Sequence, residues 1–187
     1  MELFPIFGVG WLNGWLLLWV WWLIQGLSVL VIPEDVRDRL FEFDRKNWKT
    51  GHRVSFAFGK AIGLVFLIIT AFTSIDFSSI GFLIGLSIFV IGLLGLVWVI
   101  RDFKNTPLEE PVTIGIYKFS RHPQLVMLLV IGIGMSLALS SWILLILRIV
   151  SFGFQHAGVI AEENECLDRF GESYKEYMEN VPRYFLI

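Results

Sequence analysis

The sequence predicts an all-α, polytopic integral membrane protein with about five transmembrane helices. Three observations carry this expectation. Long uncharged runs alternate with short charged ones in a chain of 187 residues that is 56% apolar and 17% charged, as bilayer spans alternate with their connectors. Glycines recur four residues apart inside the apolar runs, the spacing that lets membrane helices approach closely. Among the connectors and the tail, lysine and arginine fall only in alternate segments, as a fixed membrane orientation requires. One domain is expected for this length, with a three-helix scaffold over 1–100 and a second region over 101–187.

The first span lies within residues 5–32, which hold no charged side chain and suffice to cross a bilayer, for which roughly 20 helical residues are needed. Trp11, Trp15, Trp19 and Trp22 recur at helical spacing, chiefly as a lipid-contact and packing stripe. Pro33 ends this helix, because its ring removes a donor and disfavours helix at Ile32. Residues 34–53 carry six basic and five acidic side chains. With Leu40, Phe41, Phe43 and Trp48 interspersed, they form either a solvated connector or an amphipathic segment on the bilayer surface.

The second span covers about 54–73, with Gly59 and Gly63 as a close-packing pair and Lys60 placed to snorkel. A turn at 73–79 leads into the third span, about 80–100, where Gly81, Gly85, Gly92 and Gly95 continue the pattern. A tight hairpin of the second and third helices is the expectation. After the polar stretch 101–122, residues 123–147 are uncharged. Ser140-Ser141 is the turn between a fourth helix, about 122–139, and a fifth from about 142 to 160 and beyond, which together make a hairpin. Eighteen residues rise roughly 27 Å, so a shortened or tilted hairpin is expected, with Gly132 and Gly134 as points of bending.

The connector at 34–53 has six basic residues, the stretch 101–122 has four and the tail after 160 has three, while the other two connectors have none. Five spans put all basic segments in the cytosol and the N-terminus outside, with a cytosolic helical tail. The N-terminus lacks a basic n-region, so no cleavable signal is expected. A lone Cys166 excludes an internal disulfide framework and a multi-cysteine metal site; no metal is expected. There is no HExxH, Walker or dinucleotide fingerprint, and nothing supports nucleic-acid binding.

Two polar islands remain for chemistry, both expected at the cytosolic face. Arg121-His122-Pro123 opens the fourth helix, and proline suits a first helical turn. The free N–H groups and partial positive charge there favour a carboxylate. Arg121 adds fixed charge, Tyr117 an aromatic face, and Gly115 room for close backbone approach. These parts suit a small ligand with a carboxylate and a flat ring; interfacial anchoring accounts for the same residues equally well. On the fifth helix Arg148, Gln155 and Glu162 are seven residues apart and share one face, with His156, Val159 and Glu163 beside it. Arg148 lies inside an apolar span, where a charge is costly and is a functional candidate by default; a structural ion pair is the rival reading. Glu162 and Glu163 emerge at the surface and suit a hydroxylated or cationic ligand group.

The order Gly115-x-Tyr117-x-x-x-Arg121-His122-Pro123, a hairpin, Glu162-Glu163, Phe170-Gly171-x-x-Tyr174-x-x-Tyr177 and Val181-Pro182 resembles the isoprenylcysteine carboxyl methyltransferase family over residues 100–184. Phospholipid methyltransferases and some sterol reductases look similar there. The resemblance implies a membrane-embedded methyltransferase that uses S-adenosylmethionine and forms S-adenosylhomocysteine. It makes 101–187 the cofactor-binding and catalytic region. It implies that Glu109, Glu110, Pro111, Val112 and Tyr117 line the nucleoside and methionine pocket. His122, Pro123, Gln124 and Leu125 would close over the cofactor, and Glu162 or Glu163 would touch it from the fifth helix. The family has an aromatic residue where Leu125 stands and a substrate-binding arginine near Gly158.

The expected function is methyl transfer to a lipophilic acceptor entering from the bilayer, foremost a carboxylate of the isoprenylcysteine type. Arg121, His122, Glu162 and Glu163 are the expected catalytic residues. Arg148, Gln155 and His156 are the expected substrate-binding ones, with Arg121, Arg148 and His156 as candidate holders of an acceptor carboxylate. The alternatives are a phospholipid N-methyltransferase, a nicotinamide-dependent sterol-type reductase, and a non-catalytic transporter or complex subunit.

Overall fold

A computed structural model describes residues 1–3, 7–8, 10–41 and 48–185. Its described elements are α1 (Trp15–Leu30), α2 (Glu34–Phe41), α3 (Thr50–Phe72), α4 (Ile80–Lys104), a 3-10 turn (Gly115–Lys118), α5 (Pro123–Ala138), α6 (Trp142–Phe170) and α7 (Glu172–Asn180). The chain is all-α, as expected. Helices α3, α4 and α6 are long and apolar enough to cross a membrane, and α1 and α5 are shorter apolar helices. Phe43 of the expected surface segment lies outside the described residues, which include α2 ahead of it.

The first span is shorter than the uncharged run. Gly8, Gly10, Asn13 and Gly14 are poor helix formers, and the chain before α1 runs instead across the end of the bundle. It makes isolated bridges from Phe7 to Thr73, Asn13 to Ser74 and Glu2 to Ser141. Gly14 donates its N–H to Thr73 O at 2.8 Å, and a β-carbon on Gly14 would overlap Thr70 O. Trp11, Trp19 and Trp22 stay exposed, which suits an apolar surface in contact with lipid.

The expected tight hairpin of the second and third helices does not form. The two dominant helix pairs are α4 with α5 and α3 with α6. The glycines mark close approaches, but to partners further along the chain. A β-carbon on Gly134 would lie 2.5 Å from Phe89 N and 2.8 Å from Gly85 O. One on Gly92 would lie 2.9 Å from Ile131 N. Glycine spacing shows that a helix face is narrow and says nothing of which helix fills it. Gly134 therefore serves packing. Gly132 accommodates the aliphatic stem of Arg148, whose Cδ would be 2.5 Å from an added β-carbon.

Ser140 and Ser141 make the expected turn. Ser140 has φ 49°, and Ser141 Oγ caps α6 by accepting Leu144 N–H at 3.4 Å. This turn, the 73–79 connector and the N-terminal stretch share one end of the bundle. The two polar islands share the other.

Candidate active site

The first island is tied to the end of α4. Asp102, 8% exposed, accepts the N–H of Ile116 at 2.8 Å. Gly115 has φ +55°, and a β-carbon there would overlap the Asp102 carboxylate. Only glycine combines that backbone with that neighbour. The 3-10 turn is thus capped by a buried carboxylate, and Ile116 and Tyr117 bury against Val99.

The second island meets the first through Glu163, 3% exposed. Arg183 holds its carboxylate from two sides, Nη2 to Oε2 at 2.6 Å and Nε to Oε1 at 3.1 Å. Arg121 Nε lies 2.9 Å from Oε1, but its N–H is not directed along that line and makes no hydrogen bond. That contact is an ion pair; Arg121 Nη1 donates to Met178 O at 2.8 Å instead. His122 places Nε2 3.3 Å from Glu163 Oε1 and Nδ1 3.6 Å from Glu162 Oε2. Burial lowers the His122 pKa below the ordinary histidine value; Glu163 pulls it up, and the Arg121 and Arg183 charges push it down. A neutral imidazole therefore faces two carboxylates.

The C-terminal tail fastens this corner. Arg121 N–H donates to Pro182 O at 3.0 Å and His122 N–H to Arg183 O at 3.3 Å. Ser120 Oγ donates to Arg183 O at 2.8 Å, and Tyr177 Oη donates to Tyr117 O at 2.7 Å. Burial raises the Tyr174 and Tyr177 pKa values, so both phenols stay neutral. The Tyr184 hydroxyl lies 2.8 Å from His156 Nδ1, and burial pushes its pKa up to about 12. Hydrogen bonding to Glu163 raises the Arg183 pKa.

Beside this network lies a cavity of about 370 Å³ between α3, the first island, α5, α6 and α7. Of the residues expected at a site, Pro111, Val112, Tyr117, Arg121, His122, Pro123, Gln124, Leu125, Gln155 and Glu162 line it. Glu163 stands behind the lining, held by Arg121, His122 and Arg183. Glu109 and Glu110 are exposed on the loop before the island and do not line the cavity. Nor does His156, which meets Tyr184, or Arg148, which lies across Gly132.

Several contributors were not expected from the sequence. Arg183 and Tyr184 sit in the tail, where the Val181-Pro182 pair was the nearest signal. Asp102 looked like one charge in a polar stretch. Phe56 and Lys60 reach the cavity from α3. Trp48, 4% exposed, donates its Nε1–H to Glu165 at 2.7 Å. Gly158, the position near which a family arginine was expected, is backed by Phe56: a β-carbon there would lie 2.5 Å from the ring.

The sequence pattern of the phospholipid methyltransferases fits residues 73–173. No curated protein matches the chain. The fitted segment runs from the 73–79 connector through α4, both islands and the α5–α6 hairpin, and covers more than half of the chain. The chain belongs to the phospholipid methyltransferase family, membrane methyltransferases related to the isoprenylcysteine carboxyl methyltransferases.

Proposed function

We propose that the cavity binds S-adenosylmethionine and that the protein methylates a lipophilic acceptor arriving from the bilayer at the cytosolic face. The observation that carries this is the meeting of the two islands beside one cavity. Its volume of about 370 Å³ falls in the small-molecule range of about 300–1,000 Å³.

The donor set suits the cofactor. The N-terminus of α5 has no side-chain cap, so its backbone N–H groups near Gln124 and Leu125 are suited to a carboxylate. Tyr117 and Phe103 offer ring faces for the adenine, and Glu162 a carboxylate for hydroxyl or ammonium groups. Bound there, the sulfonium supplies an electrophilic methyl group. The protein's own tasks are alignment and exclusion of water. Glu163 performs neither directly: it fixes Arg121, His122 and Arg183, and so the start of α5.

Two acceptor classes fit. A carboxylate of the isoprenylcysteine type needs no base but needs a cation to hold it. A phospholipid amine must first lose a proton, and one observation favours it. His122 Nδ1 and Glu162 Oε2 are 3.6 Å apart at the cavity wall, placed to accept that proton.

Calorimetry with S-adenosylhomocysteine on purified protein tests the cofactor assignment. Saturable binding is expected, weakened by Glu162→Gln. Absence of binding at millimolar ligand, or equal competition by NADPH, removes it. Labelled cofactor with phosphatidylethanolamine and with a farnesylated cysteine separates the acceptors.

A further inference from the structure

We infer that Lys60 of α3 binds the anionic group of the lipophilic acceptor, a phosphodiester or a carboxylate, at the bilayer-side end of the cavity. This rests on the cofactor assignment above for its meaning, but its observations are separate.

Lys60 is the one charged side chain in residues 54–75. An ionisable side chain within a spanning helix is a candidate for function by default. Lys60 lies ten residues into α3, roughly 15 Å along the axis. It is level with Gln155, because Gly59 beside it faces Gln155 Cγ across the α3–α6 contact, where an added β-carbon would be 3.1 Å away. Glu162 lies seven residues further along α6, roughly 10 Å closer to the polar end. The cavity thus has two ends. The polar end carries Glu162, Glu165 and Arg169; the deep end carries Lys60 and Gln155 among Leu125, Leu128 and Val159.

Lys60 is exposed on the bundle surface and also lines this deep end. Its Nζ is 5.1 Å from the centre of the Phe56 ring, one turn nearer the polar end. The side chain therefore snorkels along Phe56, and Phe56 is seated against Gly158 on α6. The ammonium is carried to the rim where bilayer and cavity meet.

Of the other cationic groups expected to hold an acceptor, Arg121 lines the cavity at its polar end, beside Glu163 and Met178, and the remaining two do not line it. His156 meets Tyr184, and Arg148 lies across Gly132. An amphiphile sliding in from the bilayer would meet Lys60 first. With its anion there, its tail remains against the apolar lining and the bilayer, and its head points toward His122 and Glu162. α3 lies outside the segment that matches the family, so this contact would be a property of this chain's own scaffold.

The test is direct binding, which requires no turnover. Purified wild type, Lys60→Met and Lys60→Arg are titrated with dihexanoylphosphatidylethanolamine, N-acetyl-S-farnesylcysteine and uncharged farnesol, in detergent with S-adenosylhomocysteine present. The expected result is that K60M binds at least one of the two ligands that carry an anionic group about tenfold more weakly, as loss of a charged contact implies. K60R should retain binding, and farnesol should not distinguish the three proteins. Which anionic ligand responds identifies the source. Equal binding by wild type and K60M, or an equal loss for farnesol, overturns the inference, as does failure of wild type to bind either anion. Titration of S-adenosylhomocysteine alone in the same samples reports separately on the cofactor assignment.

Discussion

The two main helix pairs are built differently. α4 and α5 meet through glycine, with backbone against backbone at Gly85, Gly92 and Gly134. α3 and α6 meet through polar groups: Ser151 Oγ donates to Gly59 O at 2.8 Å and Ser55 Oγ to Phe154 O at 3.1 Å, and within α6 Gln155 Nε2 donates to Ser151 Oγ at 3.0 Å. The first pair leaves no room between its axes and carries the His122 corner on its end. The second stands beside the cavity and contributes Phe56, Lys60, Gln155 and Glu162 to its wall. One pair is a rigid mount and the other a lined opening. Glu163 joins them, because it rides on α6 and holds the residues that open α5.

That junction should be the most sensitive point. Glu163→Ala leaves Arg121 and Arg183 facing each other, partly buried and without their anion, and removing one member of such a cluster costs about 3–5 kcal/mol. The expected outcome is a large drop in the thermal unfolding temperature in detergent, with loss of cofactor binding. If E163A unfolds like wild type, the two pairs are not joined there.

Next comes the mount. Gly134→Val places side-chain atoms against Phe89 N and Gly85 O, both backbone and unable to turn aside, and overpacking of this kind costs about 1–3 kcal/mol. Reduced stability and a lowered yield of folded protein are expected. An unchanged melting temperature would show that α4 and α5 can part without penalty.

A smaller loss is expected from Arg183→Ala, which removes a two-point contact that is partly open to solvent, worth about 1–2 kcal/mol. Because the guanidinium acts through Glu163 and His122, Arg183→Lys should restore stability only in part, since a lysine cannot bridge both oxygens. The helix content of R183A should stay native while S-adenosylhomocysteine binds more weakly. Unaltered binding would reduce the tail to a surface attachment.

The pH dependence follows from His122. Its folded pKa is below the unfolded value near 6.5, so between the two values the unfolded chain binds more protons. Stability is therefore full at neutral pH and falls as pH drops through the unfolded value toward the folded one. Unfolding temperatures between pH 7.5 and 5 should fall more steeply for wild type than for His122→Gln. Parallel slopes would show that this imidazole does not carry the effect.

These contrasts explain what the sequence could and could not disclose. Charge periodicity located the spans, since a bilayer admits few charges wherever they fall. The Gly115–Pro123 and Glu162–Glu163 islands were legible because their residue types are unusual beside apolar runs. Helix pairing was not legible: Gly85 announces a narrow face, but its partner Gly134 is chosen by packing of the whole bundle. Arg183 and Asp102 were missed for a related reason. A charge in a polar stretch looks solvated until the fold closes a carboxylate or a backbone amide around it. Lys60 was expected to be able to snorkel; that its ammonium lies over the Phe56 ring, and that this ring is seated against Gly158, could not be read from the sequence.

The gentlest test separates the two helix pairs. A β-carbon on Gly63 of α3 would lie 3.2 Å from Ser151 Oγ alone, a hydroxyl that can shift slightly. Alanine also favours a helix over glycine by about 0.8–1.0 kcal/mol in peptides. Gly63→Ala should therefore be neutral or slightly stabilising, within about 0.5 kcal/mol once the crowding is offset. Gly134→Ala should cost measurably more despite the same gain in propensity, because its neighbours are backbone atoms. Equal losses at the two sites would mean that α3 and α6 are packed as tightly as α4 and α5. The cavity wall would then be as rigid as its mount, and an acceptor entering past Lys60 would find no give in α3.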